Sequence, residues 1–430
     1  MRHILCLILM CGLAACGTTY DVAHDDFIED FYNGEYAIAG DIMAVATVSA
    51  NPVDTPYIGG LQCGTAYLWS GDAAERKMCF DTANNVLNGT LDDDSGYRIK
   101  QYEKIAMATY QGIGEILDAS NDAGMFFNRA YMYQSENVQD NDAEITAAQE
   151  KINKNMAGVN TNLAISQAIS EMDSAPDAVA PMRDYVNPYT TYIGAIYNAL
   201  NGDMGNAPLD FSRVKAFAPN NHFVVSDLDT IKSHKDSVWV FFENGMVGDI
   251  RPRALAPAVL QVFGIRISVP DIFPGTPALS NLRVTADGKS VNTEFLANMD
   301  SIVKTDINKY RNANIIKSIA FESGKVAAAI MTKSVTNKMS HKNNNNLWLD
   351  FLGTYAMIGI MSSDQPWDLR SWTALPHEIQ VARVDMPRTR TLVLDDKYTV
   401  EIPNEIKNAA VFIRLPSAGA TPSIGVGRLN

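Results

Sequence analysis

The sequence predicts an α+β fold, in which an irregular array of helices precedes a mixed domain with an antiparallel β-meander and packed helices. Two observations support this prediction. From Asp25 to about Asn220, short amphipathic segments alternate with turns that contain Gly and Asn, a pattern that indicates packed helices. After Asn221, short runs of β-branched and aromatic residues replace them, as in strands. We therefore assign a helical domain to residues 26–220 and an α+β domain to residues 221–430.

The clearest helical hairpin lies within residues 187–219. Its small and large residues have the spacing of packing positions in a tetratricopeptide repeat (TPR), and a proline closes the second helix: Gly194, Tyr197, Ala207, Phe211 and Pro219. We expect Gly194 and Ala207 to let the two helices approach each other. Less regular hairpins are predicted at residues 27–46, 57–88 and 97–133, and a longer helix with one narrow apolar seam starts near Ile145. The array is therefore TPR-like but irregular.

The carboxyl-terminal half contains a mixture of strands and helices. Residues 237–242 are apolar at every position but the first, as in a central strand, and residues 282–291 predict a hairpin around Asp287-Gly288. Helices are predicted from Glu294 to about Lys338, and residues 347–361 predict a buried helix that is too short to span a membrane. Four further strands have the spacing of an antiparallel meander: 379–384, 391–394, 398–402 and 409–415.

The chain begins with the features of a secretory signal. Arg2 and an apolar run over residues 4–13 precede Leu13-Ala14-Ala15-Cys16. Leu-Ala-Ala-Cys resembles the lipobox of bacterial lipoproteins. This resemblance implies that residues 1–15 are removed, that Cys16 is acylated, and that residues 16–25 form a tether to the membrane. Several acyl chains on one residue anchor a protein far more firmly than a single chain does.

The charge of the chain excludes one class of partner. After removal of residues 1–15, 49 acidic residues stand against 34 basic ones, a net charge of −15. Nucleic-acid binding requires a basic stripe or patch, so we expect no nucleic-acid partner.

Three cysteines remain in the mature chain, and one of them is Cys16. The other two, Cys63 and Cys79, lie eight residues on either side of Gly71 in a predicted helical turn, so we expect them to face each other. An oxidising compartment favours a disulfide, and Gly64 permits a close approach. However, paired helix axes lie about 8–10 Å apart, whereas a disulfide requires Cα atoms within about 7 Å. The sequence leaves a disulfide and two buried thiols as alternatives.

One carboxyl-terminal segment carries a second resemblance. Residues 368–376 read D-L-R-S-W-T-A-L-P. They resemble the D-x-R-S-W-x-x-L-P segment of a functionally uncharacterised family of bacterial lipoproteins that have a repeat-like helical half. The sequence Phe242-Glu243-Asn244-Gly245 and the segments 315–330 and 187–219 support the match, which covers most of the mature chain. The resemblance implies no activity, but it does imply proximity to small lipoproteins that activate peptidoglycan synthases.

Two roles are open to the residues of this segment. Asp368, Arg370 and Trp372 could present a ligand-binding guanidinium and indole. Alternatively, Arg370 pairs with a carboxylate while Trp372 and Pro376 fill the seam before the next strand, and we favour this structural role. An Arg–carboxylate pair has a specific geometry in either case.

Catalytic and metal-binding patterns are incomplete throughout the sequence. His377-Glu378 begins like a zinc-protease motif, but Val381 stands where the second histidine is required. The acidic run at residues 92–94 lacks the first and last ligands of a calcium loop. No nucleophile elbow and no phosphate-binding glycine loop occurs. We therefore expect no cofactor, no metal and no catalytic activity.

These observations predict a lipid-anchored, periplasmic interaction or scaffold protein of the bacterial envelope. Gly17 after the cysteine, rather than an Asp, favours the outer membrane. Helical repeats offer concave surfaces, so we expect a protein partner to bind residues 26–220, and the second resemblance implies a component of the peptidoglycan-synthesis machinery. One alternative is an envelope hydrolase that acts on cell-wall material near Asp368 and Arg370. Another is a structural subunit of a larger envelope assembly.

Overall fold

A computed structural model describes residues 19–48, 55–136, 142–155, 160–174, 179–182, 187–262, 264–339 and 367–430. The predicted α+β fold is confirmed: an array of helices is followed by antiparallel-rich sheets with packed helices. The signal segment, Cys16 and the predicted helix at residues 347–361 lie outside the described residues. Within the described ranges, every helix is either too short or too polar to span a bilayer.

The helices before residue 233 are α1 to α11, and most of them are antiparallel neighbours in pairs. Their bounds are α1 Thr19–Asn33, α2 Tyr36–Val48, α3 Pro56–Ser70, α4 Ala73–Leu87, α5 Gln101–Leu117, α6 Ala123–Ser135, α7 Asp142–Asn155, α8 Thr161–Ser174, α9 Pro188–Leu200, α10 Ala207–Phe217 and α11 His222–Lys232. The predicted hairpins therefore form as α1/α2, α3/α4, α5/α6 and α9/α10. The polar stretch that starts near Ile145 contains two described helices, α7 and α8, where we expected one.

The strands and the remaining helices follow. Their bounds are β1 Ser237–Asn244, β2 Asp249–Leu255, α12 Ala258–Gln261, β3 Ile267–Phe273, β4 Arg283–Ala286, β5 Lys289–Asn292, β6 Glu294–Asn298, α13 Met299–Lys309, α14 Arg311–Met339, β7 Glu378–Asp385, β8 Thr391–Leu394, β9 Tyr398–Glu401, β10 Ala409–Leu415 and β11 Ser423–Arg428. They form a five-stranded sheet in the order β11-β10-β1-β7-β6, a four-stranded sheet in the order β5-β4-β8-β9, and a separate β2–β3 ribbon.

Strand β1 is central, as predicted, and every one of its residues is buried. Because successive side chains point to opposite faces of a sheet, Trp239 and Phe241 pack toward the helices, while Val240 and Phe242 pack toward the four-stranded sheet. The five-stranded sheet is therefore the middle layer of the molecule. Helices cover one face and the second sheet covers the other.

The four strands predicted at the carboxyl end all form, but they do not pair as one uninterrupted meander. Strands β8 and β9 form a hairpin in the outer sheet, and β8 pairs with β4. Strand β7 pairs with β1 and β6, and β10 lies parallel to β1. Burial matches this division: β10 is buried at every residue, as expected of a strand that is covered on both faces, whereas β8 and β9 have partly or fully exposed residues and suit a sheet with one exposed face.

Two short segments differ from the prediction. Residues 222–232 were expected to begin the β-type half, but they form α11, whose Asn221 cap accepts hydrogen bonds from the backbone of residues 223 and 224. Residues 294–298 were expected to begin a helix, but they form the edge strand β6, which pairs with β7 through an irregular register. Both segments are short enough for tertiary contacts to override local preference.

The two halves share one hydrophobic core. It joins Phe27 and Trp69 of the helical half to Trp239, Trp372 and Phe412 of the other half. A smaller cluster packs α7, α8 and α14 against the β2–β3 ribbon. The inner faces of the helical hairpins are consequently covered by the sheet of the same chain.

Candidate functional site

The segment at residues 368–376 lies at the seam between the two halves. Arg370 Nε donates to both carboxylate oxygens of Asp368, at 2.8 and 3.0 Å, and its Nη2 donates to the carbonyl of Ser95 at 3.1 Å. Lys100 Nζ donates to the carbonyl of Arg370 at 2.7 Å. These bonds fasten the segment to the loop that precedes α5.

The next residues of the segment fill the interior. Trp372 is fully buried, and its indole N–H donates to Thr65 Oγ1 at 3.0 Å. The side chain of Gln62 donates to Ser371 O at 3.2 Å and accepts from the backbone N–H of Ala374 at 3.1 Å. Pro376 is buried just before β7. Trp372 and Pro376 therefore lie in the interior, between the helical half and β7.

The sequence Phe242-Glu243-Asn244-Gly245 also lies at this seam. Glu243 is fully buried and accepts hydrogen bonds from the hydroxyls of Tyr110, at 2.8 Å, and Tyr189, at 3.2 Å. Burial raises the pKa of Glu243 to about 7, an effect that the nearby Arg414 and the two tyrosine hydroxyls oppose. Nothing in the sequence pattern marked this buried carboxyl as a link between the helical array and the sheet.

The two cysteines are bonded to each other. Cys63 on α3 and Cys79 on α4 form a disulfide with a Cα separation of 5.9 Å. Small residues permit this distance: a Cβ at Gly60 would lie 2.7 Å from the carbonyl oxygen of Cys79, and one at Gly64 would lie 2.7 Å from the ring of Phe80. Of the two alternatives that the sequence left open, the structure contains the disulfide.

The repeat-packing residues are close together, but one of them acts differently from our expectation. A Cβ at Gly194 would lie 2.7 Å from the Tyr131 hydroxyl of α6. This glycine therefore allows the close packing of α6, not of α10, against α9. The reason is that α9 packs on both α6 and α10. Ala207 and Phe211 are buried, Phe211 meets the ring of Tyr192, and the exposed Pro219 follows the end of α10.

An open cleft of about 550 Å³ lies beside the Asp368–Arg370 pair. We call it the Asp306 cleft. One wall is the loop of residues 96–100, which leads into α5, and the opposite wall is formed by α13 and the start of α14. The β2–β3 ribbon and residues 367–368 close its ends. The cleft therefore lies between the two halves of the chain.

Lys100 and Glu103 shape the first wall. Glu103 is fully buried and accepts a hydrogen bond from the backbone N–H of Lys100 at 3.0 Å, as in the start of a capped helix. Lys100 Nζ donates to the hydroxyl of Tyr97 at 2.7 Å, and that hydroxyl donates to Glu103. The charge of Lys100 is thus already balanced within the wall.

Asp306 is the unusual group of the opposite wall. Its side chain is 3% exposed, and its Oδ1 has no hydrogen-bond partner among the described residues. Burial raises the pKa of Asp306 to about 7; Lys100 opposes the rise, Glu103 adds to it, and the backbone N–H of Gln101 opposes it. The indole N–H of Trp367, at the end of the cleft, is also buried without a described partner. Such groups are rare in folded proteins and require an explanation.

Two cations face the cleft beside these groups. The guanidinium of Arg98 lies 3.8 Å above the ring of Tyr310, and Lys317 lines the same wall. Arg98 is exposed and Lys317 is partly exposed. Arg370 pairs with Asp368, and Arg98, like Lys100, favours the ionised form of Asp306 and so opposes the rise in its pKa.

Other charged groups in the described interior are paired. Asp271 accepts from Lys304 at 2.6 Å and from Arg253 at 3.0 Å, and Asp227 accepts from Arg383 at 2.6 Å. No group of three His, Cys, Asp or Glu side chains within the described ranges is arranged to hold a metal ion. The sequence analysis indicated the region of Asp368 but missed Asp306, because a single Asp in an amphipathic helix gives no signal by itself.

Comparisons with protein-family models, with curated proteins and with solved structures found no match for this chain.

Proposed function

We propose that this chain is a lipid-anchored interaction protein of the bacterial envelope, which faces the periplasm from the outer membrane and binds its partner at the Asp306 cleft. The sequence supports the anchor through Leu13-Ala14-Ala15-Cys16. The single observation that supports the binding role is the open cleft between the two halves, which Arg98 and Lys317 also line and where a buried carboxyl oxygen has no hydrogen-bond partner in the described part of the chain.

The location of the site follows from the packing of the helical array. The inner faces of the hairpins, which we first expected to bind a partner, pack against the sheet of the same chain. The helical half contributes to the proposed site through residues 96–100 instead. A component of the peptidoglycan-synthesis machinery is the partner class that the resemblance of residues 368–376 implies.

Site-specific photocrosslinking in cells tests the binding role. A photoreactive residue placed at Arg98 or Asn314, on opposite walls of the cleft, is expected to capture a defined partner. The matched control is the same residue at Val225 on α11, which is 46% exposed and lies outside the cleft. Equal capture at all three positions, or none at the cleft, would count against the proposal.

The anchor has its own test. Cys16→Ser removes the thiol that the acyl chains require, so we expect the variant to lose incorporation of labelled palmitate and to leave the outer-membrane fraction. Unchanged fractionation of Cys16→Ser would contradict the proposed location, whatever the crosslinking result.

A hydrolase acting on cell-wall material is a second candidate, because Asp306 is a carboxyl group with a pKa of about 7 in an open cleft. A general acid functions best when its pKa is near the working pH. We favour binding, since the second carboxylate of the cleft, Asp368, is held by Arg370 at 2.8 and 3.0 Å. Release of soluble fragments from purified cell walls by the wild type, and not by Asp306→Asn, would favour the hydrolase.

A further inference from the structure

A second open cleft, of about 520 Å³, lies within the helical half of the chain. Its walls come from α6, α9, α10 and the turn before α10, and we call it the Asn128 cleft. It shares no lining residue with the Asp306 cleft. Its volume lies within the range of about 300–1,000 Å³ that is typical of sites for small ligands. The Asn128 cleft can therefore bind a ligand of its own, whatever occupies the Asp306 cleft.

Asparagines from three different elements line the Asn128 cleft. Asn128 lies on α6, Asn198 on α9, and Asn206 immediately before α10. Asn128 and Asn206 are exposed and Asn198 is partly exposed, so a ligand in the cleft can reach them. Within the described ranges, none of the three side-chain amides is hydrogen-bonded to another residue. Asn206 even precedes its helix without capping it, although asparagine at this position normally accepts a hydrogen bond from the helix backbone.

The charges of the Asn128 cleft are nearly balanced. Arg213 donates to Asp210 at 3.2 Å, and the exposed Asp203 accepts from the backbone N–H of Gly205 at 3.2 Å. These are the charged side chains among the described lining residues, and together they carry one net negative charge. Phosphates and carboxylates are therefore disfavoured, and one exposed carboxylate attracts a cation only weakly. The cleft suits a ligand without charge.

The apolar surface of the Asn128 cleft is small. Leu209, which is 54% exposed, is the one aliphatic side chain among the described lining residues. Tyr131 adds a partly exposed ring, whose hydroxyl donates to the carbonyl of Thr191 at 3.2 Å and so holds the ring in place. A peptide segment usually anchors its side chains in apolar pockets, which this cleft does not offer.

A saccharide has the chemistry that these groups match. Each of its hydroxyls can both donate and accept a hydrogen bond, and a side-chain amide offers two donors and an acceptor in one plane. We infer that the Asn128 cleft binds a neutral saccharide, whose hydroxyls bond to the three asparagine amides. The C–H surface of the sugar rings lies against Tyr131 and Leu209.

Calorimetry on the full lipidated protein, in a detergent that has no sugar headgroup, tests this inference. The probes are the neutral trisaccharides chitotriose, cellotriose and maltotriose, and one neutral peptide, N-acetyl-trialanine amide. At least one trisaccharide is expected to bind with a dissociation constant of about 1 mM or lower, and at least about tenfold more tightly than the peptide. If no trisaccharide bound at about 10 mM, or if the peptide bound more tightly, the inference would be overturned.

Asn128→Ala and Asn206→Ala locate the site. Each removes one amide and is expected to weaken saccharide binding about three- to tenfold, as the loss of one hydrogen bond does. Neither change should disturb the fold, because Asn128 is exposed on a helix and Asn206 does not cap α10; unchanged thermal unfolding checks this. Asn404→Ala alters an exposed asparagine outside the cleft and should leave the affinity unchanged. Equal affinities in these three variants and the wild type would overturn the inference.

The source of the saccharide can be distinguished with the same variants. If the ligand is part of the cell-wall glycan, the wild type should sediment with purified cell walls, and Asn128→Ala combined with Asn206→Ala should remain in solution. Binding of a trisaccharide without sedimentation would support the same ligand class from a soluble source. Photocrosslinking at Arg98 and Asn314 tests the Asp306 cleft separately, so its result bears on neither outcome.

Discussion

Two buried carboxyl groups of this molecule, Glu243 and Asp306, differ in their hydrogen bonding and in their access to a cleft. Glu243 is closed off from solvent and has hydrogen bonds from Tyr110 and Tyr189, so it links two parts of the core. Asp306 lines an open cleft and has an oxygen without a described partner. Both carboxyl groups have a pKa raised to about 7 by burial, but Asp306 belongs to the lining of the proposed binding cleft and Glu243 does not.

Asp306→Asn should change how stability depends on pH. The pKa of Asp306 is about 7 in the folded protein, against an ordinary value of 3.8. The folded chain thus retains a proton that the unfolded chain releases, and stability falls as the pH rises from about 4 to about 7. Asn removes this contribution, so the stability of the variant relative to wild type should increase by about 3 kcal/mol when the pH rises from 5 to 8.

Urea unfolding at pH 5 and pH 8 measures this difference. Other buried carboxyl groups, Glu243 among them, contribute equally to both proteins and cancel in the comparison. If the free energy of unfolding changed with pH by the same amount in the variant and in the wild type, Asp306 would have its ordinary pKa in the folded chain.

Arg414→Met should be strongly destabilising. Arg414 is fully buried, donates to the carbonyls of Gly245 and Ala374 at 2.5 and 3.1 Å, and lies 3.9 Å from Glu243. Its removal leaves Glu243 without a counter-charge and the carbonyls without a donor, at a cost of about 3–5 kcal/mol.

Arg251→Met is the matched control for Arg414. Arg251 pairs with Asp249 on the surface, where both side chains are more than half exposed, so its loss should cost at most about 0.5 kcal/mol. Denaturant unfolding of the two variants measures both values. A similar loss of unfolding free energy in the two variants would mean that the buried interactions of Arg414 stabilise the protein no more than an exposed ion pair does.

At the scale of elements, helical hairpins were the most predictable feature. A turn signal with apolar residues three and four positions apart on either side is a local property, so α3/α4 and α9/α10 could be located from the sequence. The sequence did not show which helix packs against each helix face. For example, Gly194 allows the close approach of α6, which lies more than fifty residues away in the sequence. Likewise Arg76 of α4 is buried against Gly114 of α5 and pairs with Asp118 at 2.5 Å.

The disulfide should stabilise the α3/α4 hairpin against unfolding. Cys63 and Cys79 are 16 residues apart, and closing a loop of that length restricts the unfolded chain by about 3 kcal/mol. Cys63→Ala combined with Cys79→Ala should therefore lower the free energy of unfolding by about 2–4 kcal/mol.

Reduction provides the control for the disulfide. Dithiothreitol should destabilise the wild type and leave the double alanine variant unchanged in thermal unfolding. A wild type that is insensitive to dithiothreitol, with two thiols titratable after unfolding under non-reducing conditions, would show that the pair is not bonded.

At the scale of the whole molecule, the two halves depend on each other. Trp372 is buried against Thr65 and Tyr110, and the tyrosines of α5 and α9 bond to Glu243 of β1. Separating the halves would expose this shared apolar core and leave buried polar groups unpaired.

Fragments 19–220 and 221–430 should consequently fail to fold when they are produced separately, and should recover a folded complex when they are produced together. Circular dichroism and the cooperativity of thermal unfolding distinguish the outcomes. A sharp unfolding transition in either isolated fragment would show that its own core is sufficient.

The sequence by itself determined the class of fold, most of the helices and strands and the apolar central strand, because these depend on local periodicity and turn residues. The anchor at Cys16 rests on a short motif alone and stays a prediction. The tertiary structure alone decided the division of the strands between two sheets, the covering of the helical inner faces, and the Asp306 cleft. Those features arise where segments hundreds of residues apart meet, as when Lys100 bonds to Arg370. Burial, which sets the pKa of Asp306, is a property of that assembly and not of the residue.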